Sequence, residues 1–125
     1  MIDFTNARCV KLSAVDPASV LTIVGPLLVT GEEVEVAAKG MRDFVAFTNK
    51  RIFAVNVQGM TGAKKDITSL PYSKIQTFSI ESAGTFDRDC ELTLWLSGLG
   101  QVKFEFGARV DITRIAQIIG DAVLS

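Results

Sequence analysis

The 125-residue chain contains no histidine. That absence removes the side chain whose ordinary pKa lies near neutrality, and with it the Ser-His-Asp and Cys-His nucleophile arrangements and the His-containing zinc sites. Cysteine is scarce as well. Cys9 and Cys90 lie far apart without CxxC spacing, so two reduced thiols are expected, although counting alone leaves a single disulfide open. An excess of positive charge is also missing: 13 Lys and Arg stand against 14 Asp and Glu, for a formal net charge of -1. Such a balance argues against a nucleic-acid binder working by bulk electrostatics. No apolar run reaches the roughly 20 residues of a membrane span. The most apolar window, 20–29, is broken by Gly25 and Pro26. Asp3, Arg8 and Lys11 interrupt the N-terminus where a secretory signal needs a long apolar stretch, so a cytoplasmic location is expected.

What is present is a hydrophobic fraction of 48%, enough for one folded domain with its own core. The stretch 44–58 organises the rest. Phe44, Val45, Ala46 and Phe47, then Ile52, Phe53, Ala54, Val55 and Val57, favour a pleated, buried surface and are too short for typical helices. Between them Asn49 suits a tight turn, with Lys50 and Arg51 keeping the tip soluble. In the second strand Phe53, Val55 and Val57 share the face expected to meet the core.

Asp16 and Pro17 predict a helix start, followed by Val20, Leu21, Val24, Leu27 and Leu28 at helical spacing, with a kink at Gly25 and Pro26. Residues before it carry weak signals beyond a short extended piece at Cys9, Val10, Lys11 and Leu12. From Glu32 onward the pattern is one of short strands: 33–39, the two strands of the hairpin, 66–71, 74–82, 90–97 and a last one through Val102, Phe104 and Phe106. In the first of these, Val34, Val36 and Ala38 are expected on one face. Leu92, Leu94 and Leu96 alternate with Glu91, Thr93, Trp95 and Ser97, which puts Trp95 on the outside. The segment 111–124 carries Ile112, Ile115, Ala116, Ile119, Ala122 and Val123 on one stripe behind the cap Asp111, which predicts an amphipathic C-terminal helix. The expected architecture is mainly β with α: a seven-stranded bent sandwich or barrel capped by that helix, with 1–31 as an N-terminal segment and 32–125 as the domain proper.

The residues resemble a family more closely than topology alone would require. Arg42 and Asp43, Phe47 to Arg51 in unbroken order, Gln58-Gly59-Met60-Thr61-Gly62, Pro71-Tyr72-Ser73-Lys74-Ile75, Ala83-Gly84-Thr85-Phe86-Asp87 and Glu91-Leu92-Thr93-Leu94-Trp95 are together similar to the bacterial pleckstrin-homology-like domain family, in that family's order. Ala63 departs from it, standing where a basic residue is common. The resemblance implies a domain with no settled biochemical activity that forms cyclic homo-oligomers, five-fold where no extra C-terminal hairpin follows, as in this sequence up to Ser125. It also implies a hydrophilic surface between adjacent protomers that meets other proteins.

Two surfaces are candidate sites. Alternate turns of a meander fall at one end, which brings Lys39 and Arg42 towards Lys64 and Lys65 as a possible phosphate or lipid-headgroup site. Asp43 and Asp66 adjoin it, and a solvated charged rim is the simpler reading. Trp95 and Phe86 form a candidate protein or oligomer contact, because exposed large aromatics mark interfaces. Asn49, Lys50 and Arg51, at the opposite end from the cations, would belong to the polar surface between protomers. The loop 59–65 lacks the spacing of a phosphate-binding loop, having two residues between its glycines. Asp87, Asp89 and Glu91 are too few for a calcium loop. No catalytic residue, cofactor or metal is expected, nor a nucleic-acid partner; the leading expectation is a non-enzymatic, ring-forming protein-interaction scaffold, with peripheral anion or lipid binding as the alternative.

Overall fold

The computed structural model describes residues 1, 9–82, 84 and 89–125, with Cys9 and Val10 as backbone only. Eight strands form one sheet: β1 (Cys9–Val15), β2 (Val34–Lys39), β3 (Asp43–Thr48), β4 (Arg51–Gln58), β5 (Lys64–Pro71), β6 (Ile75–Ser82), β7 (Cys90–Leu96) and β8 (Gly100–Phe106). Their order across the sheet is β5-β4-β3-β2-β1-β8-β7-β6. The expected seven strands are all present. The eighth, β1, comes from the stretch whose signals were weak, and it lies inside the sheet, antiparallel to β2 and parallel to β8. A bulge between Cys9 and Leu12 leaves Lys11 at φ 53 and turns Leu12 fully into the core.

The helical stretch after Asp16 is shorter and more broken than its spacing suggests. It runs through a tight turn Pro17–Val20, a single α-turn α1 (Leu21–Val24) and a second tight turn Gly25–Leu27. The Asp16 side chain accepts from the Ala18 N–H at 2.9 Å, as a cap should. Pro26 lacks the N–H that an unbroken α-helix needs, which explains the division. The C-terminal helix α2 (Ile112–Val123) forms as expected, with Asp111 accepting from the Arg114 N–H at 3.0 Å. Its buried stripe is Ile112, Ile115, Ile118 and Ile119; Ala122, expected there, is exposed.

Two apolar cores occupy opposite faces of β2, β3 and β4. The main one joins Val45, Phe47, Ile52 and Ala54 to Leu12, Leu92, Leu94, Phe104, Phe106 and the isoleucines of α2. The second joins Phe44, Ala46, Phe53 and Val55 to Val20 and Val24 of the N-terminal turns. The hairpin therefore buries both of its faces, which is why its strands read as continuous apolar runs. The face assigned to the core from sequence, Phe53 and Val55, is the one under the N-terminal turns, and the main core takes Ile52 and Ala54 instead. Val57 is half-buried. A second correction concerns β2: a bulge between Val34 and Val36 moves Val34 to the second core while Val36 and Ala38 face the first.

Candidate functional site

The two ends of the meander differ in how their charges are held. At the β2–β3 end, the Val57 N–H donates to the Arg42 carbonyl at 2.9 Å. The Arg42 guanidinium in turn donates to the Gly59 carbonyl, and Lys65 Nζ to the Gly62 carbonyl at 3.2 Å. Arg42 and the loop after β4 are thus together, as alternate turns require. Lys39 is further away: it pairs with Phe44, while Lys64 pairs with Gln58 on β4, three strands and several residues removed. At about 4.8 Å per strand the lateral separation of Lys39 and Lys64 is on the order of 14 Å. Both lysines are exposed. Asp66 receives the Met1 ammonium at 2.8 Å, and that hydrogen bond leads the causes holding its carboxyl below the ordinary range. Burial pushes the neighbouring Asp43 carboxyl up.

At the opposite end, the hairpin tip is tied into a polar lock that sequence reading missed. Arg51 grips Glu32 with two hydrogen bonds, Nε to Oε2 at 3.0 Å and Nη2 to Oε1 at 2.9 Å. The same guanidinium donates to the Leu27 carbonyl at 2.6 Å and to Ser69 Oγ at 3.2 Å, and lies 4.2 Å from the centre of the Phe53 ring. Glu32 is out of solvent and also accepts from Thr48 Oγ1 at 2.7 Å and the Val29 N–H at 3.0 Å. Burial acts to raise its carboxyl, yet these hydrogen bonds and the Arg51 charge outweigh it and hold the group below the usual carboxylate value. Asn49 fastens the same segment from its own side, donating to the Gly31 carbonyl at 3.0 Å and accepting from the Glu33 N–H at 2.9 Å. Asn49 and Arg51 therefore bind the N-terminal segment to the hairpin, while Lys50 remains exposed at the tip.

Tyr72, at the corner between β5 and β6, donates to the Thr48 carbonyl at 2.7 Å. Burial first, and then the carboxylates of Glu35 and Glu32, drive its phenol far above the usual range. In the same corner the Ser97 N–H donates to the Lys74 carbonyl at 2.8 Å. The hairpin tip and the end of β7 next to Trp95 are therefore anchored on one short segment.

Trp95 faces outward as its alternation predicts, with 37% of its surface exposed. It sits across from Thr77 and Gln101, and the next rows of the same face are Ser79, Thr93 and Lys103, then Glu81, Glu91 and Glu105. The N-terminal turns cover the outer face of β2 to β4 but not this one. Phe86 and Asp87 lie outside the described residues, so only Asp89 and Glu91 of the acidic trio are placed. They line a cleft of about 450 Å³ with Glu81, Glu105 and Lys11. Cys90 is buried. Among the described residues no helix is long and apolar enough to cross a membrane.

Comparison with known proteins agrees with this architecture. The family model described as bacterial PH domain matches residues 3–123. The chain is 45% identical over 95 residues to the uncharacterized protein YjqA of Bacillus subtilis, a match covering 76% of each. Among solved structures it is similar to a protein with a pleckstrin-homology domain from Shewanella loihica, with a TM-score of 0.76 at 34% identity, covering 90% of this chain and 97% of that one. A pleckstrin homology domain from Shewanella amazonensis gives a TM-score of 0.65 at 36% identity, covering 96% and 94%. With its meander, its capping helix and a family match running nearly from end to end, the chain belongs to the bacterial PH domain family.

Proposed function

We propose that this PH-like domain is a non-enzymatic protein-interaction scaffold that assembles into a closed ring of identical copies, a pentamer by family resemblance, in the cytoplasm. The observation that carries the reading is the outer face of β6, β7 and β8, where Trp95, 37% exposed, stands among polar side chains. A large aromatic partly exposed on an otherwise polar face is typical of an interface anchor. A ring needs two unlike patches on each copy. Tyr72 of the β5–β6 corner holds Thr48 at the base of the tip that bears exposed Lys50, and the same corner holds Ser97 at the end of β7. The shifted titrating groups Glu32 and Tyr72 serve internal bonds, the first to Arg51 and Thr48 and the second to the Thr48 carbonyl. The Trp95→Ala variant, run through size exclusion with light scattering, tests the anchor: assembly should fall apart, whereas an assembly of unchanged mass removes Trp95 from the interface.

Anion or lipid-headgroup binding at Lys39, Arg42, Lys64 and Lys65 is the weaker reading, since Arg42 and Lys65 are already engaged by loop carbonyls. Sedimentation with anionic vesicles, compared with a variant carrying Ala at Lys39, Arg42 and Lys64, distinguishes it: equal pelleting of both forms rejects the site.

A further inference from the structure

Strand β6 is one border of the sheet and, among the described residues, pairs only with β7, so a row of its backbone N–H and C=O groups has no strand partner there. The two borders are protected unequally. Border strand β5 carries Lys64, Lys65 and Pro71, the residue types that discourage further pairing. Border strand β6, Ile-Gln-Thr-Phe-Ser-Ile-Glu-Ser, carries no lysine, arginine or proline along its eight residues.

Beside this open border runs an apolar groove of about 340 Å³, formed by Phe78 and Ile80 of β6 and by Ile112, Ala116, Gly120 and Leu124 of the C-terminal helix and its end. Phe78 and Ile80 are only half-buried and Leu124 is 77% exposed, so the groove is unfilled apolar surface rather than finished core. Ala116 and Gly120 keep the helix surface low where a side chain entering from the strand border would lie.

The opposite, outward side of β6 bears Thr77, Ser79 and Glu81. Glu81 stands directly across from Glu91, and Glu91 across from Glu105. Like charges in such register repel. Lys103 pairs with Glu91 at 3.4 Å, while neither Glu81 nor Glu105 has an ion-pair partner among the described residues. Asp89 adds a further carboxylate to the same cleft.

We infer that β6 and the groove beside α2 take up an extended segment of another protein, paired as an added strand, with apolar side chains at every second position and a basic residue beside Glu81. Main-chain hydrogen bonds to the open border supply the binding, the groove reads the inward side chains, and the carboxylate row selects the outward basic one. The inference rests on the protein-interaction part of the proposed function and is independent of the ring.

The test uses the full chain and synthetic peptides of about ten residues, the length of a long strand. One alternates valine and threonine with a terminal lysine pair; a second replaces the lysines by glutamates; a third bunches the valines together. Fluorescence anisotropy and amide hydrogen exchange are read for each, and light scattering on the same samples. The alternating lysine peptide should bind and slow exchange along β6 by about tenfold or more. Ala116→Lys and Gly120→Leu should each weaken it about tenfold with an unchanged melting temperature; a Cβ at Gly120 meets only the Leu124 methyl at 3.7 Å. Glu81→Lys should shift preference towards the glutamate peptide. Equal binding of the bunched peptide, protection confined to β5 or to the Trp95 face, or concentration-dependent protection of β6 without peptide, which would make a second copy the occupant, overturns the inference. A monomer that protects β6 removes the ring alone, and a ring whose β6 stays unprotected with peptide removes this site alone.

Discussion

At the residue scale the most informative side chain is Arg51. Next to Lys50 in a turn, it reads as a solvated tip charge, and nothing local reveals that its partner lies 19 residues earlier. A buried carboxylate left without its guanidinium is expensive, so Arg51→Met should cost about 3 kcal/mol. Urea denaturation should show this as a lower midpoint at unchanged slope, with Glu32→Gln in the same background recovering part of it. The lock is also pH-dependent. Because the Glu32 carboxyl is held below its ordinary value of 4.5 when folded, its contribution is complete above that value and is lost as pH falls through the folded pKa. Wild type should therefore lose stability more steeply below about pH 4.5 than Glu32→Gln does. Tyr72 works in the opposite sense. Its folded pKa is raised, so its contribution is complete below the ordinary value of 10.0 and declines as pH rises beyond it. Tyr72→Phe should flatten the alkaline decline while costing about 1 kcal/mol at neutral pH through the lost bond to Thr48, measurable by thermal melts across the pH range.

At the scale of elements, strand and helix positions were legible wherever alternation or helical spacing was sustained, as in β7, β8 and α2. Strand β1 was legible only in part, as a short extended piece from Cys9 to Leu12, because Lys11 in its bulge interrupts the period and its placement depends on β2 and β8 rather than on its own residues. The hairpin was recognised, but its main core face was assigned the wrong way round. A strand buried on both sides carries no polar face to orient it, and the cover on the Phe53 side comes from turns more than 20 residues away in sequence. It follows that both faces bear stability. Phe53→Ala and Phe47→Ala should each cost roughly 3–5 kcal/mol, as measured by chemical denaturation; a near-neutral Phe53→Ala would mean that the N-terminal turns do not seal that face. Residues 32–125 alone should likewise fail to give the native near-ultraviolet spectrum, because removing β1 parts β2 from β8 and uncovers Phe44, Phe53 and Val55.

For the whole molecule, turn spacing, the capping helix and the ordered motifs made the family readable. The candidate sites were less so, since they depend on which faces remain bare after folding. Trp95 was placed outside by alternation alone, and the fold agrees. The polar lock joins Arg51 to Glu32 across the fold, the open β6 border follows from the strand order, and the carboxylate row follows from the register of three successive strands, none of which the residue pattern of one strand encodes. The central claim, that this domain works as an assembled scaffold, is tested most directly by the mass of the unmodified protein in solution. Light scattering on a size-exclusion peak should give one species at a whole multiple of the protomer mass, five-fold on this account, and stable on dilution. A peak of single-protomer mass at every concentration would contradict it.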